Sequence, residues 1–269
     1  MNLLRRELAP ITDEAWEQID DEARRVLKLH LAGRKLVDFS GPHGWAFGAV
    51  NLGRLERMAP AAGDPVERGI RSVLPLVEMR VPFTLPISEV DAASRGAIDL
   101  DLDPVIVAAE QLARAEDLAI FHGFGPGQVV GIIEASPHAP IAVESSLAWP
   151  RAIGTAREVL RKAGIDGPYG LALGGVAYGE LTSAGDDGYP IRKRVEESFA
   201  EGSFVWAPAL ESDAVLLSLR GGDYELVVGQ DLSIGYRKHD DHQVELYITE
   251  SFTFRVLEDK AAVSLKRSP

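Results

Sequence analysis

Between residues 244 and 256 apolar and polar side chains alternate. Val244, Leu246, Ile248, Phe252, Phe254 and Val256 take the even positions, with Glu245, Tyr247, Thr249, Thr253 and Arg255 on the odd ones. A period of two sends the apolar set to one face of a strand. Glu250 is the one polar residue on that face, so it needs a partner or a wet pocket. Upstream, Leu217 and Leu219 lead into Gly221-Gly222, and Tyr224, Leu226 and Val228 lead out. Two β-prone runs about a glycine pair predict a hairpin, because glycine supplies the positive φ of a tight turn. A sheet that is polar on one side calls for helices on its other side.

Elsewhere the period becomes helical. Trp16, Ile19, Ala23, Val26, Leu27 and Leu31 recur at three- and four-residue steps, with Thr12 as N-cap and Gly33 as the stop. They predict one amphipathic helix over 12–32. Asp103-Pro104 opens a second helix that ends near His122-Gly123. Its buried side carries Val105, Ala108, Ala109, Leu112, Ala115 and Ala119, and Glu110 is spaced to pair with Arg114. Residues 49–58 and 76–85 read as strands separated by Pro60, Gly63 and Pro65, with Pro82 marking an edge. Together they suggest a long hairpin reaching away from the body, whose apolar positions would stay wet in a monomer. From Gly131 to about Leu210 the elements shorten. A helix starts at Pro150, strands cover 169–173 and 204–206, helical turns follow Gly175 and Ile191, and an acidic loop spans 183–190.

Composition narrows the function. A net charge of −13 repels phosphate, so nucleic acid is not an expected partner. With no cysteine, disulfides, thiolate metal sites and thiol catalysis are excluded. No run is long and apolar enough for a membrane span, and the N-terminal residues lack the apolar core of a signal peptide. The expected location is therefore the cytoplasm. No G-x-S-x-G, Walker or H-E-x-x-H motif is present. His239 and His242 flank Asp240-Asp241, a set that reads as a solvated turn rather than a metal site.

The segment GGDYELVVGQDLSIGY, followed by LYITESFTF, resembles the C-terminal part of the encapsulin shell proteins (family 1, also known as linocin-type bacteriocins). LAPITDEAW, LAGRKLVDFSGPHGW and GYPIRKRVEE resemble the same family, in the same order. The resemblance implies an α+β fold like that of tailed-phage major capsid proteins, the Hong Kong-type fold. Residues 1–48, 81–131 and 224–269 would form a peripheral domain with the N-terminal helix and a spine helix. Residues 49–80 would form the extended hairpin loop, and 132–223 an axial domain. It further implies a shell subunit rather than an enzyme, closing with itself into an icosahedral compartment of about 60 copies, larger shells staying open.

The same resemblance implies where cargo docks. A C-terminal targeting peptide, carried by a ferritin-like protein or a dye-decolourising peroxidase, would lie on the inner wall. The matching positions are Leu27, Leu31, Arg34, Asp38, Asp231, Leu232, Ile234 and Tyr236. Singly they read as core packing, with Arg34 and Asp38 as a local ion pair; as a set they read as an apolar groove with orienting charges. Ser183, Ala184, Gly185, Asp186, Asp187, Gly188 and Tyr189 would rim a five-fold pore, where repeated carboxylates favour cations. Some shells of the family hold a flavin against a tryptophan; the position matched here is Ile87, which cannot stack in that way, so no cofactor is expected. The rival readings are a secreted bacteriocin, which would want a cationic amphipathic face, and a hydrolase, which would want a positioned nucleophile and base.

Overall fold

The computed structural model describes residues 3–59, 65–183, 185–186, 189–196, 199 and 203–268. Thr12 caps helix α1 (Asp13–His30), its hydroxyl accepting the Ala15 N–H at 3.5 Å. Strands β1 (Asp38–Ser40), β2 (Ala49–Arg57), β3 (Gly69–Pro75) and β4 (Val77–Pro86) follow, then α2 (Ile87–Ser94). Helix α3 (Asp103–His122) has Pro104 in its first turn and ends at Gly123, whose φ is 90°. Next come α4 (Ile132–Ala135), β5 (Ile141–Val143), α5 (Trp149–Lys162), β6 (Tyr169–Leu173) and α6 (Gly175–Ser183). The short pair β7 (Gly185–Asp186) and β8 (Tyr189–Pro190) leads to α7 (Ile191–Glu196) and β9 (Phe204–Trp206). The last strands are β10 (Ala214–Ser218), β11 (Tyr224–Val228), β12 (Ser233–His239), β13 (Gln243–Val256) and β14 (Ala262–Arg267).

Two five-stranded sheets organise these elements. In the first, β13 is the common partner: β4 runs along it from Gln243↔Pro86 to Phe252↔Val77, β12 pairs with its first half, and β11 with its last residues. β1 completes this sheet beside β11. The second has the order β5-β14-β10-β6-β9. The expected hairpin at Gly221-Gly222 is therefore not formed. β10 belongs to the second sheet and β11 to the first, so the two glycines, at φ 81° and 79°, turn the chain from one sheet into the other. β14 also lies in the second sheet, so residues 224–269 divide between both.

The expected polar face of β13 is covered too. Tyr247, Thr249 and Thr253 are buried. Tyr247 lies against Gly235, where any side chain would collide with the ring, and Thr249 Oγ1 donates to the Met79 carbonyl at 2.9 Å. Thr253 Oγ1, by contrast, is buried without a hydrogen-bond partner among the described residues.

The outward hairpin consists of β2 and β3, paired from Ala49↔Pro75 to Arg57↔Gly69. β4 is not part of it; β4 lies in the first sheet with Pro82 opposite Tyr247, on the edge where a missing N–H does no harm. Leu55 and Ile70 on the hairpin are 57% and 58% exposed.

The interior is divided into two main apolar clusters. α1, α2, β4, β12 and the first half of α3 build one, while α5, the second sheet and the end of α3 build the other. α3 and β13 each run through both. On α3, Val105–Ala113 and Ala119–Phe121 belong to different clusters; on β13, so do Val244–Ile248 and Phe252–Phe254. Between them lie Glu116 and Asp117 on α3 and Glu250 on β13, all fully buried. The helix therefore turns these carboxylates inward where Ala115 was expected, and Ala115 is only half-buried. The Glu110–Arg114 pair is also replaced: Arg114 reaches Glu211 at 2.8 Å, and Glu110 faces His30 at 3.5 Å.

Candidate peptide-binding groove

Ala23 and Leu27 on α1, with Leu31 at its C-cap, face Leu232, Ile234 of β12 and Ile248 of β13 across an open cavity of about 440 Å³. Helical spacing puts the first three on one stripe, and strand alternation puts Leu232 and Ile234 on one face. Leu4 covers one end, its carbonyl accepting the Tyr236 N–H at 2.8 Å. Beside it Arg6 donates to both oxygens of Asp20, at 3.1 and 2.7 Å, and lies 3.8 Å over the Trp16 ring.

The floor of the groove is ionic. Arg34 Nε donates to both Glu116 oxygens at 3.1 and 2.9 Å, Nη2 to Glu116 Oε2 at 2.7 Å and to Glu250 Oε1, and Nη1 to Asp231 Oδ1 at 2.8 Å. Asp231 Oδ1 also accepts the Leu232 N–H at 2.8 Å. Burial works against the Arg34 charge, but Glu116 and Glu250 outweigh it and hold the guanidinium more firmly protonated than usual. Glu250 is the converse: its own burial, then the Glu116 charge, outweigh Arg34 and keep its proton well above the usual carboxylate range. Glu250 Oε2 is buried without a hydrogen-bond partner among the described residues.

Asp117 fixes the corner where α1 ends. Its carboxylate accepts the backbone N–H of Ala32 at 3.0 Å and of Gly33 at 2.8 Å. Burial pushes it up to about 7, against the pull of these two N–H groups. Gly33 lets this corner seat closely on α3, since a Cβ there would come within 2.5 Å of Ile120 Cδ1 and displace that methyl.

Of the eight residues expected at a peptide site, the fold brings six to this groove: Leu27, Leu31, Arg34, Asp231, Leu232 and Ile234. Asp38 stands apart. It accepts the Gly222 N–H at 2.6 Å beside a cavity of about 170 Å³, and it makes no pair with Arg34. Tyr236 also lies outside; its hydroxyl is 2.6 Å from His239 Nδ1, and it lines a different cavity with Arg80 and Tyr247. Sequence reasoning missed Lys28 and Arg24, which rim the groove, and Glu116, which anchors its floor. The signal for Glu116 was its position one turn beyond Leu112 on a buried stripe; Leu4 and Arg6 carried none.

Of the residues expected at a pore, Ser183 ends α6, and Gly185–Asp186 pairs with Tyr189–Pro190; Ala184, Asp187 and Gly188 lie outside the described residues. Among the described residues no cluster of three or more metal-ligating side chains occurs, and no helix is long and apolar enough to cross a membrane.

Comparison with known proteins bears on this geometry. Residues 1–253 match the family described as an encapsulating protein for peroxidase. A type 1 encapsulin shell protein of Rhodospirillum rubrum is 49% identical, covering 99% of this chain and 97% of its own length. That of Brevibacterium linens is 43% identical, covering 98% and 99%. Among solved structures, a virus-like particle from Pyrococcus furiosus superimposes with a TM-score of 0.63 at 14% identity, covering 93% of this chain and 99% of that one. Mycobacterium phage Bobi gives 0.60 at 12% identity, covering 89% and 91%. The architecture is the α+β fold of phage major capsid proteins. By sequence match along nearly its whole length, the chain belongs to the family of type 1 encapsulin shell proteins.

Proposed function

We propose that this chain is the self-assembling shell subunit of an encapsulin nanocompartment, that it retains cargo by docking a short C-terminal peptide in the groove between α1 and β12, and that small ions pass through pores at the 183–189 loops. The observation that carries the cargo reading is the groove itself. Six matched positions, separated by up to about two hundred residues in sequence, converge on one open, mainly apolar cleft of about 440 Å³. Such a cleft fits the alternating side chains of an extended peptide. Self-assembly is supported by the uncovered apolar residues of the β2–β3 hairpin. Closed symmetry then gives a particle of about 1.7 MDa for about 60 subunits of 29.1 kDa. Cytoplasmic location and a ferritin-like or peroxidase guest belong to the same proposal.

A hydrolase is less well supported. Ser40 Oγ lies 3.2 Å from His43 Nε2, but the His43 ring packs on Phe47, and among the described residues no carboxylate pairs with it. A third group orienting the base is therefore missing. The relatives, too, are named as shell proteins rather than enzymes.

Replacing Leu27 and Ile234 together by Asp puts charge into the cleft while leaving the hairpin untouched. The expected result is particles that assemble but contain no guest, seen by electron microscopy and by mass spectrometry of purified shells. Full loading of the double variant would remove the groove from the account, and a 29.1 kDa species with no hollow particle would remove the shell.

A further inference from the structure

Six charged side chains line the groove: Arg6, Arg24, Lys28 and Arg34 against Asp20 and Asp231. Both carboxylates are already committed. Asp20 holds Arg6 through two hydrogen bonds, and Asp231 holds Arg34 and its own neighbour's N–H. Arg34 is largely committed, since Nε, Nη1 and Nη2 each donate to a carboxylate and one Nη1 hydrogen is left over. Its main role is therefore to position the floor. Arg24 is paired with Asp21, which does not line the groove. Lys28, exposed on the rim, makes no ion pair among the described residues.

The result is a locally cationic rim on a subunit of net charge −13. Lys28 follows Leu27 in sequence and lies one turn beyond Arg24, so the cationic row runs beside the apolar row of Ala23, Leu27 and Leu31. An extended peptide that buries alternate apolar side chains turns the intervening ones toward the rims. An acidic side chain at one of these intervening positions would be the charge complement of Lys28.

Building on the groove reading above, we infer that the occupant is an apolar peptide carrying an internal Asp or Glu side chain, read by Lys28 with support from Arg24. Exposed pairs of this kind are modest in strength, so the preference is one of a few-fold, and it shrinks with salt.

The test uses full-length shells dissociated and reassembled with a pool of synthetic decapeptides. The peptides are amidated at the C-terminus so that only side chains carry carboxylates. Leu or Ile occupies alternate positions, and Asp, Asn or Lys the intervening ones. Peptides retained after washing are identified by mass spectrometry against Ile234→Asp shells as background. Asp peptides should be retained about threefold over their Asn counterparts and more strongly over Lys. Lys28→Glu shells should reverse the order. Equal retention of Asp, Asn and Lys peptides above background, or an order unchanged in Lys28→Glu, would overturn the inference while leaving the groove intact. Retention no greater than in Ile234→Asp shells would instead remove the groove, and the inference with it.

Discussion

At the scale of single residues, Asp117 shows how a buried acid can serve local geometry at a pH-dependent cost. Its folded value of about 7 lies above the ordinary 3.8, and burial is the chief cause. Between those values the folded chain binds more protons than the unfolded one, so this group's contribution is fully present below about pH 4 and is lost as pH rises through about 7. Glu250 acts in the same direction, through its burial and the Glu116 charge. Asp117→Asn keeps an acceptor for one N–H but cannot ionise. The difference in urea stability between wild type and this variant should therefore change by about 3 kcal/mol from pH 4 to pH 7, in the direction that favours wild type in acid. A difference independent of pH would show that Asp117 is not perturbed. None of this was legible at Asp117 itself. Glu250 was legible as an anomaly, a carboxylate on an apolar face, but its partners Arg34 and Glu116 lie 216 and 134 positions away, and only the fold joins them.

At the scale of elements, periodicity located both long helices closely, because caps and breakers act within a few residues. Thr12, Pro104 and Gly123 stand at or next to the ends they signalled, and Gly33 lies three residues past the last residue of α1. Strand positions were read as closely, but their partners were not. Gly221-Gly222 has hairpin chemistry, yet its two strands pair elsewhere, since a turn fixes chain direction but cross-strand packing chooses the partner. The same limit hid the covered face of β13. The β2–β3 hairpin tests the element-level reading of assembly. Leu55→Glu with Ile70→Glu alters side chains already more than half exposed, so the subunit should fold with unchanged far-ultraviolet circular dichroism. It should nevertheless elute as small species on size exclusion. Full-size particles from this variant would mean that the hairpin does not seal the shell.

At the scale of the whole molecule, the two apolar clusters are tied by α3 and β13, which pass through both, and their seam is polar. Arg34 sits at that seam, so the groove floor is also the junction between the two halves of the interior. Closed symmetry adds what one chain lacks. In the proposed closed shell the sequence pair Asp186-Asp187 would repeat around an axis as a ring of carboxylates, which would draw cations and slow anions. Asp186→Asn with Asp187→Asn should slow iron entry into loaded shells several-fold, measured as oxidation of ferrous iron added outside. Uptake at the wild-type rate would exclude this loop as the route.

The amino-acid sequence by itself determined the two long helices, because caps and hydrophobic period act over a few positions, and through its separated motifs it showed the family. The tertiary structure alone decided which strands pair, that Asp38 and Tyr236 stand outside the groove, and that Arg34 is bound to three carboxylates while Lys28 makes no ion pair among the described residues. These depend on contacts between distant segments, and the geometry that brings a carboxylate to one cation and leaves the next exposed is set by packing, which no local pattern encodes.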